Sequence, residues 1–206
     1  MNRMSSIAKR AGRPTFKAFA SFRDDDEASL SVEAVLVLPF LLWGFLAVFT
    51  FFDVYRAKNL SLKGNYAISD LLSRETNTLD MAYLNGAENL YQYLTQSGDS
   101  SWLRVTVVTC TEDCDVEADR TLEVDWSRAT DGLDTYDNTD VMGGLKAIIP
   151  LMAEGERLIM VQTSMQYDPP FSEALTGIGA RTFTDTVLTR PRFAPQLCFQ
   201  GVGCGA

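Results

Sequence analysis

Residues 34–52 read AVLVLPFLLWGFLAVFTFF, a run of nineteen residues without a formal charge that lies between Glu33 and Asp53. A helix of this length covers about 28 Å, which matches a hydrocarbon core of about 30 Å. Because the run is apolar on every side, it does not have the polar stripe that a helix in a soluble core usually keeps. The sequence therefore predicts one membrane-spanning helix and a lipid bilayer as its first partner.

A cleaved secretory signal peptide is the main alternative for this apolar run, since basic residues precede it. Such a signal has about 7 to 15 apolar residues and then a small-residue cleavage site. Here the run is longer, and residues 51–55 read FFDVY. We therefore expect the apolar run to remain in the mature protein.

Composition excludes several classes of function. The chain has no histidine, which excludes Ser-His-Asp and Cys-His nucleophiles and imidazole metal sites. Its formal net charge of −9 divides into +6 over residues 1–23 and −15 over residues 24–206. The acidic body does not offer the basic surface that phosphate backbones require, so we expect no nucleic-acid partner.

An enzyme of the cell envelope would have to use carboxylates such as Asp125 and Asp185. The sequence offers no argument for placing them together. The acidic stretch from residue 112 to 125 lacks the glycine and glutamate positions of a calcium-binding EF-hand loop. We therefore expect no enzyme activity, no cofactor and no bound metal.

The distribution of charges and cysteines predicts the orientation of the span. Six Lys or Arg residues precede it, whereas the twenty residues after it contain three. The positive-inside rule then favours a cytoplasmic N-terminus. All four cysteines follow the span, as expected for a domain in an oxidising compartment such as the periplasm.

Four cysteines allow three disulfide connectivities. We favour local pairing, in which Cys110 bonds to Cys114 and Cys198 bonds to Cys204. Zinc binding is the competing use, but three and five intervening residues fit the usual Cys-x-x-Cys spacing poorly.

Glu33 lies at the inner end of the apolar run, with Leu30 and Val32 before it. An unpaired charge at that depth costs about 2 to 3 kcal/mol. If the chain were cut between Ala28 and Ser29, the new amine would lie one helical turn from Glu33, or could reach Glu33 of a neighbouring subunit. A solvated glutamate at the N-terminus of a helix, where an acid suits the helix dipole, is the alternative.

The string SLSVEAVLVLP, residues 29–39, resembles the class III signal of type IV pilin-like proteins. It is similar in particular to the TadE-like family of the tight-adherence (Flp) pilus machinery. The resemblance covers about residues 22–56, with a weaker likeness in YDPP at 167–170 and RPR at 190–192. Ala28 stands where the family usually has glycine, and Ala34 where it often has phenylalanine.

The resemblance implies a polar leader, residues 1–28, that a prepilin peptidase removes on the cytoplasmic side. Ala28 would then be the last leader residue, Ser29 the mature N-terminus, Glu33 the fifth mature residue and Pro39 the proline within the span. It further implies a pseudopilin of the bacterial inner membrane, which works with other pilin-like or pilus-platform membrane proteins in pilus assembly and adhesion.

Beyond the span, apolar spacing near three, four and seven predicts that one helix continues from about residue 30 to 72. A second helix is predicted with Thr78 as its N-cap and with Leu79, Tyr83, Ala87, Leu90 and Leu94 on one face. Residues 141–149 are predicted as a short helix stopped by Pro150.

Residues 102–109, 121–126, 157–167 and 180–188 alternate or are rich in Val and Thr, which predicts four strands. The predicted fold class is α+β, with a long N-terminal helix, a second helix and a small antiparallel sheet. The predicted organisation is a leader at 1–28, a transmembrane and extended helix at 29–72, and an extracytoplasmic domain at 73–206.

A membrane-tethered periplasmic binding domain unrelated to pili is the alternative function. In that protein the helix would only hold residues 53–206 at the membrane, and a soluble fragment would keep full activity.

Overall fold

The computed structural model describes residues 26–98, 100–202 and 204, and for residues 26–30 it describes the backbone alone. Most of the proposed leader therefore lies outside the described residues. The chain forms two compact units that divide between Val48 and Phe49. The last four residues of the apolar run, 49–52, belong to the second unit.

Helix α1, Asp26–Arg74, accounts for the described part of the first unit and continues into the second. Among the described residues it is the one helix that is long and apolar enough to cross a membrane. Pro39 lies inside it. Because proline has no backbone N–H, the carbonyl of Val35 has no donor one turn later, a loss that membrane helices tolerate.

Helix α2, Met81–Thr95, begins later than the sequence predicts. Its N-cap is Asp80, whose side chain accepts a hydrogen bond from the backbone N–H of Tyr83 at 2.8 Å. Thr78 is therefore not the cap. The reason is Leu79, which leaves the helical path and pairs with Phe199 in a short β-bridge.

The buried face of α2 also differs from the prediction. Leu84, Ala87 and Tyr91 are buried, whereas Leu90 and Leu94 are each 38% exposed. The predicted stripe through Leu90 and Leu94 is therefore wrong. Leu84 and Tyr91 are seven residues apart, which is the two-turn spacing of one helix face.

Four antiparallel strands form one sheet in the order β2-β1-β3-β4. They are β1 Ser101–Glu112, β2 Thr121–Ala129, β3 Arg157–Tyr167 and β4 Arg181–Thr189. Each predicted strand is present, with ends that differ by at most three residues. A long N-terminal helix, a second helix and a small antiparallel sheet confirm the predicted α+β class.

Two apolar clusters cover the two faces of the sheet. Val107 and Ile159 belong to the first cluster, while their chain neighbours Val108 and Leu158 belong to the second. Successive strand residues point to opposite faces, so each cluster lies on one face. Helices α1 and α2 contribute to the first cluster with Ile68, Leu72, Leu84, Ala87 and Tyr91.

The segment between β2 and β3 covers the second face. It forms helix α3, Asn138–Asp140, then a π-helical turn, Val141–Leu145, and a 3₁₀ turn, Lys146–Ile148. The predicted helix at residues 141–149 is thus helical but not a regular α-helix.

Arg120 explains how this irregular segment ends. Its guanidinium, 1% exposed, donates to the carbonyls of Lys146 and Ile149 at 2.6 Å and to that of Pro150 at 2.7 Å. A buried arginine therefore satisfies carbonyls that the end of a helix leaves without donors.

Both disulfides are local. Cys110 is bonded to Cys114 at the end of β1, and Cys198 is bonded to Cys204 near the C-terminus. This is the pairing that the sequence favoured. A last short helix, α4 Glu173–Thr176, lies between β3 and β4.

Candidate functional site

Helix α1 presents apolar side chains on all sides from residue 34 to residue 43. Val35, Phe40 and Leu41 are 72%, 75% and 67% exposed, and the residues from 31 to 43 are all exposed. So much exposed apolar surface on one helix marks a region that lipid or other helices cover.

The proposed processing and assembly residues lie at the start of this helix. The backbone of Ala28 and Ser29 is helical, and their side chains are outside the described part of the chain. Glu33 is exposed, and Pro39 follows six residues later in the same helix. At about 3.6 residues per turn, Glu33 and Pro39 face directions roughly 120° apart, so they do not form one site.

In the second unit, a cluster that we term the polar anchor joins the two helices to the sheet. It consists of Lys58, Ser61 and Asn65 of α1, Tyr91 of α2 and Asp185 of β4. The Asp185 carboxylate accepts from Lys58 Nζ at 2.5 Å and from Ser61 Oγ at 2.6 Å. Asn65 Nδ2 donates to the Asp185 carbonyl at 2.8 Å, and the Ser61 and Tyr91 hydroxyls are 2.9 Å apart.

Spacing along α1 explains why these side chains converge. Lys58, Ser61 and Asn65 are three and four residues apart, which places them on one face of the helix. Strand pairing sets Asp185 opposite Thr163 at the edge of the sheet. One helix face thus meets one edge strand through polar contacts.

Four of the five side chains in the polar anchor are buried. Ser61, Asn65 and Tyr91 are fully buried and Asp185 is 9% exposed, while the Lys58 side chain is 41% exposed. Burial raises the pKa of the Tyr91 hydroxyl, and the Asp185 charge adds to that rise, although hydrogen bonds with Ser61 and Thr163 oppose it. Tyr91 therefore stays protonated and available as a donor at neutral pH.

Gly64, between Ser61 and Asn65, lets α1 approach α2 closely. A Cβ at this position would lie 3.0 Å from Tyr91 Cδ2 and 3.1 Å from Thr95 Cγ2. Because Tyr91 is also held by its hydrogen bond with Ser61, the ring has little room to retreat. The glycine is therefore required by packing.

A second polar contact ties the helix to the end of β3. The Tyr167 hydroxyl donates to the Asp53 carboxylate at 2.7 Å. Burial and the Asp53 charge together raise the pKa of Tyr167, so the hydroxyl remains a donor. One turn earlier, the ring of Phe49 packs edge-on against Phe171, with ring centroids 5.9 Å apart.

The cavities among the described residues of the second unit include two that border strands of the sheet. One, of about 300 Å³, is bordered by Asp53, Arg56, Gln96, Tyr167 and Asp168 among others. The other, of about 430 Å³, lies beside β2 and is lined by the residues from 124 to 128, from 135 to 139, and Val202. Across the described residues, no group of three or more Cys, Asp or Glu side chains could hold a metal ion.

The carboxylates that an enzyme would have used are held apart. Asp125 is on β2 and bonds Arg157 Nε at 2.7 Å, whereas Asp185 is on β4 and pairs with Lys58. The strands β2 and β4 are the two edges of the sheet. The two carboxylates therefore form no acid–base pair.

Sequence reasoning missed the polar anchor. The available signal was a row of polar residues at helical spacing, Lys58, Ser61, Asn65 and Ser69. Their partner Asp185 is 124 residues away from Ser61 in the chain. Nothing local in the sequence connects the two.

Comparison with known proteins gives no relative for this chain: no family model, curated protein or solved structure matches it.

Proposed function

We propose that this chain is a single-span protein of the bacterial inner membrane that acts as a pseudopilin-like component of the TadE-like kind in Flp pilus assembly. The observation that carries the proposal is the string at residues 29–39, in which Glu33 is followed by an uncharged run and Pro39. In this proposal the N-terminus is cytoplasmic and the α+β domain is periplasmic.

The exposed helix supports a role in lateral assembly. Apolar side chains such as Val35 and Phe40 surround it, so it can pack against similar helices in the bilayer. A carboxylate at the membrane boundary needs a positive partner. In an assembled structure, Glu33 would meet the N-terminal amine of a neighbouring subunit at Ser29 and so set the axial position of the two helices.

The second unit supports a role other than catalysis. Its polar side chains bond one another across the helix–sheet contact, as Asp185 does with Lys58 and Ser61. Such a network holds a rigid domain on its helix, and a rigid domain is what specific contacts in an assembly require.

Complementation of a strain that lacks the gene tests the proposal. We expect mass spectrometry of the wild-type product to give a mature chain that begins at Ser29, and Ala28→Gly to increase the processed fraction. We expect Glu33→Ala to reduce the number of surface fibres strongly, although the protein remains in the membrane. Glu117→Ala, the same change at an exposed position of the domain, is the matched control and should leave fibre number unchanged.

A product that still carries Met1, together with normal fibre numbers in the Glu33→Ala strain, would refute the pseudopilin mechanism. The tethered binding domain would then be the better-supported function. It would gain further support if fibres form normally in the gene deletion itself.

A further inference from the structure

The end of the apolar run lies beside a loop of the second unit. Phe49 is one helical turn before Asp53, about 6 Å further along the α1 axis toward the apolar residues. Two contacts follow the same helix face, Asp53 with Tyr167 and Phe49 with Phe171. The chain from Tyr167 to Phe171 therefore descends along α1, from its polar boundary into its apolar part.

The sequence of the segment from Tyr167 to Phe171 favours a stiff, extended backbone. Residues 167–171 read YDPPF. Two consecutive prolines fix φ near −65° and favour an extended chain, so the segment holds Phe171 at a set distance from Tyr167. Phe171 is half-buried, and Leu175 in the following helix α4 is 41% exposed.

Aromatic side chains are concentrated at this level of α1. Phe51, Phe52 and Tyr55 are 60%, 65% and 64% exposed. Tyrosine and tryptophan are enriched at membrane–water boundaries because the ring prefers the acyl side and the hydroxyl or N–H prefers the polar side. Tyr167 is buried instead, with its hydroxyl bonded to Asp53 and its ring packed on Phe183, so it fixes the start of the loop on α1.

We infer that the loop from Asp168 to Thr176 is a second membrane contact, in which Phe171 and Leu175 enter the headgroup region of the bilayer beside the span. We choose the bilayer as the partner of this loop because Phe171 lies about 6 Å from the level of Asp53 toward the apolar residues of α1. Apolar side chains at a membrane surface enter the headgroup and acyl boundary by about 5 to 10 Å, which includes this depth. This inference rests on the span in the proposed function and does not depend on a role in pili.

Nitroxide labels on the full chain in vesicles of phosphatidylethanolamine and phosphatidylglycerol test the inference. All four native cysteines are in disulfides, so an introduced cysteine is the free thiol. The two test positions are Phe171→Cys and Leu175→Cys. The second of these leaves the ring contact between Phe49 and Phe171 in place, so it remains informative if the first variant folds poorly.

Two further positions provide references. Leu41→Cys marks the span. Phe193→Cys is the matched control, because Phe193 is an aromatic residue that is 68% exposed. The neighbouring Arg192 N–H donates to the Ser73 carbonyl at 2.8 Å, and Ser73 lies about 30 Å along α1 from Asp53.

The readout is the ratio of label collisions with oxygen, which concentrates in lipid, to collisions with a water-soluble nickel chelate. We expect that ratio to be several-fold higher at residues 171 and 175 than at residue 193, and to approach the value at residue 41. A lipid-like ratio at 41 with water-like ratios at 171 and 175 would overturn the loop contact and leave the span intact. A water-like ratio at 41 would overturn the span and the loop contact together.

Discussion

Replacement of Gly64 by alanine tests the close approach of α1 and α2. The added Cβ would lie 3.0 to 3.1 Å from ring atoms of Tyr91 and from Thr95 Cγ2. Ordinary carbon contacts are about 3.5 to 4.0 Å, so these groups would have to retreat by roughly 0.5 Å or more. Overpacking of this kind lowers the free energy of unfolding by about 1 to 3 kcal/mol. The higher helix propensity of alanine raises it by up to about 1 kcal/mol.

Gly86 provides the matched control, since it lies inside α2 and a Cβ there would have no atom within 4 Å. Gly86→Ala should raise the free energy of unfolding by about 0.5 to 1 kcal/mol. The propensity gain is common to both variants, so Gly64→Ala should be less stable than Gly86→Ala by about 1 to 3 kcal/mol. Urea unfolding of the full chain in detergent, followed by near-ultraviolet circular dichroism, measures the difference. Equal stabilisation by both variants would refute the close approach.

Three further predictions concern charges and the first disulfide. Lys58→Met should lower the free energy of unfolding by about 2 to 3 kcal/mol, because it leaves the Asp185 carboxylate, which is 9% exposed, without its cation. Asp185→Asn should lower it by only about 1 kcal/mol, because the Lys58 side chain is 41% exposed and can turn to water. Urea unfolding that gives the reverse order would contradict this. Burial raises the pKa of Glu88 above 4.5, and the charge of Asp131 raises it further. The stability that protonated Glu88 provides is therefore present below pH 4.5 and is lost as the pH rises through the pKa of the folded state. Glu88→Gln should therefore stabilise the protein at pH 7 and have little effect at pH 4, and equal effects at the two pH values would argue against a buried carboxyl. Replacement of Cys110 and Cys114 together by serine should cost about 2 kcal/mol by the loop-entropy relation for a short loop, measured as the shift in urea midpoint against wild type.

The fold class was predictable because it depends on local patterns. Residues 157–167 place Ile159, Val161, Met165 and Tyr167 on one face of a strand, and the observed bounds of β3 are the same. The apolar run is likewise a local property, and the structure forms it into a helix that is long and apolar enough to cross a membrane. The disulfides were predictable for the same reason, because Cys110 and Cys114 are close in the chain.

The start of α2 was not predictable, because a distant segment decides it. Thr78 is an acceptable N-cap by its residue type, and Leu79 would suit the first turn of a helix. Instead, Leu79 N–H donates to the Cys198 carbonyl, and Gln200 N–H donates to the Leu79 carbonyl, each at 2.8 Å. Tertiary pairing with the C-terminal segment thus overrides a local preference.

The polar anchor has consequences for the choice between the two functions. Residues 58–72 of α1 contribute Lys58, Ser61 and Asn65 to the anchor, and they contribute Ile68 and Leu72 to the core. A fragment that begins at residue 73 would remove the Lys58 and Ser61 donors of the Asp185 carboxylate and would expose to water the apolar surface that α1 covers. The extended helix is thus part of the folded domain and more than a tether. A soluble fragment that fairly tests the tethered binding domain must therefore begin close to Asp53, where the apolar run ends and the contacts of α1 with the sheet begin.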